Sequence, residues 1–199
     1  MSKMQNDRRV RKTKKALREE LAELLSEKEL RSITVKELTD KADIHRSTFY
    51  AHYEDIYSLY QEIEDTVLEE LNDLISSNFF LSLNDYYKIL FDYINENKQL
   101  CKMLFRNKST HNFLHNLALL FKNACLKSWR IALNITDISE ELEYYAEYHL
   151  QGCFAMISKW ADSDFAYPRE KMIKIMANVD ANMEIHLKRI QHQGSGDNQ

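Results

Sequence analysis

The side chains best suited to chemistry in this chain are concentrated between residues 34 and 53, in the segment TVKELTDKADIHRSTFYAHY. Its last nine residues contain one arginine, two histidines, two tyrosines, a serine and a threonine. Groups of these types contact phosphates and the edges of DNA bases. The fork of Arg46 matches the O6 and N7 atoms of guanine, so this residue is the best candidate for reading a base. The segment therefore indicates binding of a nucleic acid.

The same segment predicts two short helices joined by a tight turn. Thr34 and Glu37 have the spacing of a capping box, and Ile33 with Leu38 fits a hydrophobic staple, so a helix is expected to begin here. Asp43-Ile44 interrupts the apolar face and predicts the turn. A second helix is predicted from about His45 to His52. This is a helix-turn-helix pattern, in which the second helix enters the major groove.

Phe49 is the one residue of the second helix that is expected to point inward, while His45, Arg46, Ser47, Thr48 and Tyr50 are left to face outward. The run DIHRSTFYAHYEDIYSLY resembles the DNA-binding signature of TetR-type transcriptional regulators. The match covers about residues 11–71, and Thr48-Phe49-Tyr50 with His52-Tyr53 is its most specific part. Residue type and resemblance together give this set of expected DNA-contacting residues: Thr34, Lys36, His45, Arg46, Ser47, Thr48, Tyr50, His52 and Tyr53.

Two residues depart from the pattern of the family. Asp43 stands where the family usually has glycine, which predicts a less relaxed turn. Ile56 stands where the family often has a lysine that contacts DNA phosphate, so that contact is not expected here.

The charge of the chain is divided by region. Residues 1–53 contain 13 Lys and Arg against 9 Asp and Glu, whereas residues 54–199 contain 14 against 22. A basic head on an acidic body is typical of a protein that touches phosphate at one end. The first 18 residues are the most basic part, and they can form either a frayed tail or an arm along the DNA backbone.

Composition favours an all-α fold of about nine helices, because the chain has only 3 Gly and 1 Pro in 199 residues. We expect a three-helix DNA-binding domain at 8–55, with its helix-turn-helix at about 34–53. A long helix joins it to a helical ligand-binding and dimerisation domain at 56–190, and a disordered tail follows at 191–199. The predicted helices cover about 13–27, 34–42, 45–52, 54–76, 84–94, 99–105, 110–133, 139–163 and 168–190.

Other classes of function find little support. No apolar run approaches the roughly 18 residues of a membrane span, and the N-terminus lacks a signal-peptide core. The three cysteines are expected to be buried thiols in the cytoplasm, with a thiol sensor as the minor alternative. His111 and His115 have a metal-binding spacing but no Glu or Cys nearby in sequence. We therefore expect no metal, no cofactor, no catalytic residues and no enzyme activity.

A second resemblance lies near the C-terminus. The segment YHLQGCFAMISKWADSDFAYPREKM is similar to one group of TetR-type C-terminal domains, which includes regulators linked to dihydroxyacetone kinase operons. In this family the last two helices pair across a two-fold axis. The resemblance therefore implies a homodimer, with packing inside one chain as the alternative for the same residues. The expected dimer face is Gly152, Phe154, Met156, Ile157, Trp160, Met172, Ile175, Met176, Val179 and Met183.

The function expected from these features is a cytoplasmic, homodimeric transcriptional repressor. It binds an inverted-repeat operator in double-stranded DNA and is released by a small ligand. The aromatic body of the chain could line such a ligand pocket, but the ligand residues are unknown from sequence. Two alternatives stay open: a regulator or activator switched by a protein partner, and a helical adaptor that no longer binds DNA.

Overall fold

The computed structural model describes residues 3–78, 82–106 and 111–194. These residues form nine α-helices and one short 3-10 turn, without a strand in the described ranges, which confirms the predicted all-α fold. No helix in those ranges is long and apolar enough to cross a membrane. The helices are α1 Lys3–Glu27, α2 Val35–Lys41, α3 Arg46–Tyr50, α4 Ile56–Ser77, α5 Leu83–Glu96, α6 Lys98–Arg106, α7 His111–Ala132, α8 Glu140–Asp162 and α9 Arg169–Gly194, with the 3-10 turn at Leu30–Ser32.

The chain divides into two compact units. The N-terminal unit contains residues 1–69 and 97–110, and the C-terminal unit contains residues 70–96 and 111–199. This division differs from the expected domains at 8–55 and 56–190, because the first part of α4 and the whole of α6 lie in the N-terminal unit. The N-terminal unit therefore contains α1, α2, α3, the first part of α4, and α6. Helix α6 packs against α1.

Helix α1 is longer than the sequence suggested. It begins at Lys3 instead of about Thr13, and its buried stripe is Leu17, Leu21 and Leu24. Residues 3–12 contain neither glycine nor proline, so nothing in their sequence stops the helix from extending toward the N-terminus. The basic segment is therefore helical, which contradicts the frayed-tail interpretation from residue 3 onward.

The turn between α2 and α3 is a Schellman motif. Asp43 has a φ of 52°, in the left-handed region that favours glycine. The amide of Ile44 donates to the carbonyl of Thr39 at 2.9 Å, and the amide of Asp43 donates to that of Asp40 at 3.4 Å. These two bonds satisfy carbonyls that the end of α2 would otherwise leave free. The departure at residue 43 is thus tolerated, because aspartate adopts this conformation more readily than most other residues.

Two other helices end in the same way without glycine. Asn134 after α7 has a φ of 52°, and Asp164 after α8 has a φ of 56°. The amides of Ile135 and Phe165 then reach back five residues, to the carbonyls of Arg130 and Trp160. Short polar side chains therefore replace glycine at three helix ends of a glycine-poor chain.

Helix starts are capped by side chains that the sequence partly identified. Thr34 accepts a hydrogen bond from the amide of Glu37 at 3.2 Å, as predicted. The carboxylate of Glu37, however, pairs with Lys28 rather than with the backbone of residue 34. Helix α5 is capped by Ser82, whose hydroxyl accepts from the amide of Asp85 at 3.2 Å. The serine can do this because it is the residue just before the helix.

The C-terminal unit is built on two helix pairs, α5 with α9 and α7 with α8. One of its cores consists of Leu126, Trp129, Leu133, Leu142, Ala146 and Leu187. Near the end of α8, the ring of Trp160 lies 5.0 Å from that of Phe91 and 4.9 Å from that of Phe165. Its indole N–H donates to the carbonyl of Tyr167 at 2.8 Å. These contacts hold the loop that leads into α9.

The predicted disordered tail is wrong for residues 191–194, which are helical. Helix α9 continues to Gly194, and the side-chain amide of Gln191 donates to the carbonyl of Leu133 at 3.0 Å. This bond helps to satisfy the C-terminal end of α7. Residues 195–199 of the predicted tail lie outside the described residues.

The geometry of Asp43 predicts the effect of restoring glycine. Asp43→Gly should raise the stability of the N-terminal unit by roughly 0.5–1 kcal/mol, because glycine adopts a positive φ without steric cost. Asp40→Gly, inside the exposed end of α2, is the matched control and should lower it by about 1 kcal/mol. Urea unfolding followed by circular dichroism measures both. A decrease for Asp43→Gly would contradict this account of the turn.

Glu64 predicts a pH dependence of the same unit. This residue of α4 is 5% exposed, and its Oε1 has no hydrogen-bond partner among the described residues. Burial and the nearby Asp65 raise the pKa of Glu64 to about 7, against a hydrogen bond with Tyr60 that lowers it. The unfolded chain ionises near the usual pKa of 4.5, so the folded state binds the proton more tightly. Stability is therefore highest below pH 4.5 as far as this group is concerned, and it falls as the pH rises toward 7.

Glu64→Gln should remove this loss, because the amide carries no charge at any of these pH values. We expect the variant to be more stable than the parent at pH 8 by about 1–3 kcal/mol, and similar to it at pH 5. Glu69→Gln, on the exposed side of the same helix, is the control and should change neither value. Urea titrations at the two pH values make the comparison. Equal stability of parent and Glu64→Gln at pH 8 would show that the carboxyl ionises without cost.

Candidate nucleic-acid interface

Helix α3 is positioned by a single buried ring. Phe49 is fully buried, and its ring lies 5.5 Å from those of Tyr50 and Tyr53. His45 is extended and precedes the helix, so its carbonyl accepts hydrogen bonds from the amides of Thr48 and Phe49. Because α3 spans only five residues, the inward position of Phe49 determines which of the other side chains face outward.

The outward face of α3 contains most of the expected DNA-contacting residues. His45, Arg46 and Ser47 are exposed, Tyr50 is 58% exposed, and Thr48 and His52 are half-buried. Helix α2 packs against α3, and Thr34 and Lys36 are exposed at its start. The structure thus brings eight of the nine residues to the surface of one small unit, with hydroxyl, imidazole, guanidinium and ammonium groups available to a ligand.

Tyr53 is the exception, and its expected role as a DNA contact is corrected here. It is only 5% exposed, and its hydroxyl donates to Oε1 of Glu62 at 2.7 Å. Lys14 holds the other oxygen of Glu62 at 2.6 Å and lies 5.5 Å from the centre of the Tyr53 ring. Burial and the carboxylate raise the pKa of Tyr53 well above its usual value. Tyr53 therefore links α1, α3 and α4 rather than offering its hydroxyl to DNA.

Glu62 is ionised in this group of three side chains. Partial burial opposes its ionisation, but the hydrogen bonds from Lys14 and Tyr53 outweigh this effect and lower the pKa of Glu62. The ammonium of Lys14 is thus paired with a carboxylate of its own unit. It does not add to the positive charge that the basic N-terminal segment can offer to phosphate.

Ile56 is buried at the start of α4, where the side chain packs into the core of the N-terminal unit. An apolar residue at this position cannot replace the phosphate contact of a lysine. The helix start is instead secured by Asp55 and Ser58, since Oδ1 of Asp55 accepts from the amide of Ser58 at 2.8 Å. The departure from the family pattern removes one contact and leaves the fold intact.

Several cations of the N-terminal unit are exposed and others are paired. Arg8, Arg9, Arg11 and Lys12 are exposed along α1. Lys41 at the end of α2 instead lies 2.8 Å from Glu23 and 3.8 Å from Glu20. The positive charge that can reach phosphate is therefore concentrated at the start of α1, together with Lys36 and Arg46.

The C-terminal unit contains a cavity of about 140 Å³ between its helices. Its walls are mainly apolar and aromatic, and a few polar groups converge on it, which is the composition of a small-molecule site. The apolar residues include Ile75, Leu90, Phe121, Leu150, Phe154 and Met176, and the polar ones include Tyr86, Tyr87, Ser128, His149, Asp180 and Glu184. The sequence suggested such a pocket from its aromatic residues but did not identify these positions.

A buried ion pair between His149 and Asp180 lies in the wall of this cavity. Nε2 of His149 on α8 contacts Oδ1 of Asp180 on α9, and the hydroxyl of Tyr87 donates to Oδ2 of Asp180 at 2.5 Å. Burial lowers the pKa of His149, but the hydrogen bonds to Asp180 and Cys153 outweigh it and raise the pKa to about 10. His149 is therefore charged at neutral pH. Burial and Asp180 raise the pKa of Tyr87 well above its usual value, which keeps this hydroxyl protonated as a donor.

Sequence reasoning missed these polar groups for a simple reason. Tyr87 and Asp180 are 93 residues apart, and no local pattern connects them. His149 and Cys153 lie four residues apart on α8, and that spacing was a usable signal, because it places two potential ligands on one face of a helix. The pair at 111 and 115 drew attention instead, and the side chain of His111 lies outside the described side chains.

The ten expected dimer residues separate into three groups. Ile157, Trp160, Met172 and Met176 are buried within the chain, so their assignment to a dimer face is corrected to the intrachain core. Phe154 is half-buried beside the cavity, with its ring 5.9 Å from that of Phe121. Accessible to a second chain are Gly152, Met156, Ile175, Val179 and Met183.

Comparison with known proteins gives the family. Residues 81–179, about half of the chain, match the TetR-type family model described as "Transcriptional regulator C-terminal region". The chain is 25% identical over 157 residues to the "Uncharacterized HTH-type transcriptional regulator YxbF" of Bacillus subtilis (strain 168). That alignment covers 75% of this chain and 40% of the relative, so the chain spans well under two thirds of that protein.

Solved structures show the same fold. The chain is similar to a TetR transcriptional regulator from Streptococcus agalactiae 2603V, with a TM-score of 0.64, 21% identity, and coverage of 90% of this chain and 99% of that one. It is also similar to the "Dihydroxyacetone kinase operon activator DhaS", with a TM-score of 0.62, 20% identity, and coverage of 87% and 97%. With its all-α fold and its exposed helix-turn-helix, the chain belongs to the TetR-type family of transcriptional regulators.

Proposed function

We propose that this protein is a homodimeric repressor that reads an inverted-repeat operator with α3 and is released by a small molecule bound in the C-terminal cavity. The observation that carries the proposal is the outward face of α3, where Arg46 and its polar neighbours are exposed while Phe49 is buried. TetR-type regulators bind DNA. We place this one in the cytoplasm, together with the operator that we propose for it.

Direct reading of the operator is assigned to α3. In a helix-turn-helix, residues at the start of the second helix contact base edges in the major groove. Arg46 occupies that position, and its guanidinium can donate two hydrogen bonds to guanine. His45 and Ser47 lie beside it and are assigned to base edges or nearby phosphates. Tyr50 and His52 are assigned to the edge of the groove.

Phosphate contacts are assigned to the start of α2. Thr34 and Lys36 are both exposed there. The oxygen of Thr34 already accepts from the amide of Glu37, and its hydroxyl hydrogen stays available to a phosphate oxygen. We assign Tyr53 a positioning role, because its hydrogen bond to Glu62 holds the end of the motif against α4.

The dimer is supported by Gly152. Glycine inside a helix costs about 1 kcal/mol relative to alanine, so its presence in the middle of α8 calls for a reason. Among the residues that the structure describes, nothing lies within 4 Å of the position that a Cβ would occupy. Close approach by a helix of a second copy supplies that reason.

Neighbouring exposed residues extend the proposed dimer face. Tyr144 and Tyr148 lie about two turns and one turn before Gly152 and are 69% and 76% exposed, and sequence reasoning did not include them. They join Met156 on α8, and Ile175, Val179 and Met183 on α9. In such a dimer, we propose that the two α3 helices read half-sites about one DNA turn apart, roughly 34–36 Å.

Release by a ligand is assigned to the cavity. Ile75 of α4 contributes to its wall, and α4 begins only six residues after α3 ends. A small molecule that moves the end of α4 therefore acts on the helix that follows the DNA-reading element. It changes DNA affinity only if it binds the two states of the protein unequally.

The second candidate is a regulator or activator switched by a protein partner, and it is favoured by the similarity to the structure named as a dihydroxyacetone kinase operon activator. Small molecules then leave operator affinity unchanged, whereas the partner protein alters it. A third alternative, an adaptor without DNA binding, is separated from both by the measurement that follows.

Fluorescence anisotropy with the upstream intergenic DNA of its own gene and with a scrambled duplex, at two salt concentrations, tests DNA reading. Arg46→Ala should weaken binding by about 1–3 kcal/mol and relax the preference at one base position. Lys36→Ala should weaken binding to all sequences alike and lower the salt slope by about one. Arg130→Ala, an exposed arginine of α7, is the charge-matched control and should change neither quantity.

Two outcomes would contradict this assignment. Unchanged sequence preference in Arg46→Ala would remove the base-reading role of that residue. Weak binding that ignores sequence, for every duplex drawn from the genome, would favour the adaptor over the repressor.

Substitutions at Gly152 test the dimer face. Gly152→Leu should weaken the dimer at least tenfold while the helical content stays unchanged, because the single chain has room for the side chain and a closely approaching helix does not. Asn123→Leu, which adds a leucine on exposed α7, is the control. Sedimentation velocity over a concentration series measures the dissociation constant. An unchanged constant for Gly152→Leu would place the dimer contact elsewhere.

A further inference from the structure

Three potential metal ligands of different chemistry meet inside the C-terminal cavity. His149 and Cys153 lie one turn apart on α8, and Asp180 faces them from α9. One donor atom of each, an imidazole nitrogen, a sulfur and a carboxylate oxygen, lies within 4.8 Å of the other two. His149 and Cys153 are buried, and Asp180 is largely so. The repressor mechanism proposed above uses this cavity but does not require Cys153.

We propose that His149, Cys153 and Asp180 form a binding site for Zn²⁺. Nitrogen, thiolate sulfur and carboxylate oxygen are the three ligand types that zinc takes from proteins. A set that includes a thiolate disfavours Mg²⁺ and Ca²⁺, which prefer oxygen ligands alone. The inference is independent of DNA reading, since it concerns one cavity of the C-terminal unit and is tested without DNA.

The spacing on α8 already suits a tetrahedral ion. Nε2 of His149 and Sγ of Cys153 are 3.7 Å apart. Zinc bonds of about 2.0–2.1 Å to nitrogen and 2.3 Å to sulfur at a tetrahedral angle place these two atoms about 3.6 Å apart. Asp180 contacts Nε2 directly, so an ion replaces the proton between them and the carboxylate withdraws by about 1 Å to bond the metal instead.

Tyr87 orients one of the three proposed metal ligands, Asp180. Its hydroxyl donates to Oδ2 of Asp180 at 2.5 Å, which leaves Oδ1 directed at His149 and Cys153. Hydrogen bonds of this kind orient carboxylate ligands and contribute to metal affinity. Tyr87 comes from α5, so the site would join three helices of the unit.

The fourth position faces the cavity. The ligands lie in the wall of a space of about 140 Å³, which is large enough for several water molecules. Three protein ligands with an open fourth position are the arrangement of zinc sites that bind an exchangeable water or another small ligand. The site therefore holds its ion with three protein groups and one group from the cavity.

Cobalt serves as the spectroscopic probe, because Co²⁺ occupies zinc sites and absorbs light. The full chain, treated with a chelator and kept reduced, is titrated with CoCl2. We expect saturation at one ion per chain, intense visible bands typical of four-coordination, and a near-ultraviolet sulfur-to-cobalt charge-transfer band. Addition of ZnCl2 should bleach all of these bands as zinc displaces cobalt.

Variants assign the bands to the three residues. Cys153→Ser should lose the charge-transfer band, whereas Cys125→Ser should keep it, although Cys125 lines the same cavity. Asp180→Asn should keep the charge-transfer band and bind cobalt more weakly. Tyr87→Phe should lower zinc affinity by about 10- to 100-fold, as loss of a hydrogen bond to a ligand does in other sites. Circular dichroism verifies that each variant retains the helical content of the parent.

Two results would overturn the proposal. One is the absence of saturable cobalt binding by the reduced parent protein. The other is a charge-transfer band that survives in Cys153→Ser or disappears in Cys125→Ser. If Cys153→Ser does not fold, His149→Gln replaces it, and retention of four-coordinate bands in that variant would be equally decisive against the site.

Discussion

Burial of one aromatic ring supports the DNA-reading part of this protein. Helix α3 has five residues, and a helix shorter than about 12 residues is not stable alone in water. Complete burial of the Phe49 side chain contributes about 1.5–3 kcal/mol, which is enough to hold so short a helix against the rest of its unit. Because α3 is little longer than one helical turn, burying Phe49 on one side leaves Arg46 and Tyr50 facing outward.

The turn before α3 and the side chains after it complete this arrangement. Asp43 in a left-handed conformation sets the direction in which the chain leaves α2. Tyr53, through Glu62 and Lys14, ties the end of the motif to α1 and α4. Two features that look like losses relative to the family, an aspartate in the turn and an isoleucine at residue 56, are thus absorbed by backbone hydrogen bonds and by the core. The N-terminal unit therefore lacks one phosphate contact of the family pattern but keeps its fold.

In the C-terminal unit the important groups are polar and buried. An ion pair between His149 and Asp180 inside an aromatic cavity pays a desolvation cost that packing alone would avoid. A cluster of this kind is therefore more informative about binding than about stability. The exposed glycine of α8 is informative as well, because no described residue of the same chain approaches the space that a side chain would fill there. Both features support the two proposals, a bound ion or ligand in the cavity and a second copy of the chain at α8.

The sequence by itself determined what depends on neighbours along the chain. The cap at Thr34, the turn at Asp43-Ile44, the inward Phe49 and most helix limits follow from side chains a few residues apart, so local patterns predicted them. Only the tertiary structure decided which apolar residues are shared with the core and which polar residues meet. Tyr53 and Trp160 have the residue types of surface contacts, yet long-range packing buries them. The cavity and the polar groups in its wall required five helices, α4, α5, α7, α8 and α9, to come together. Tyr87 and Asp180, for example, are 93 residues apart, and no local pattern predicts their contact.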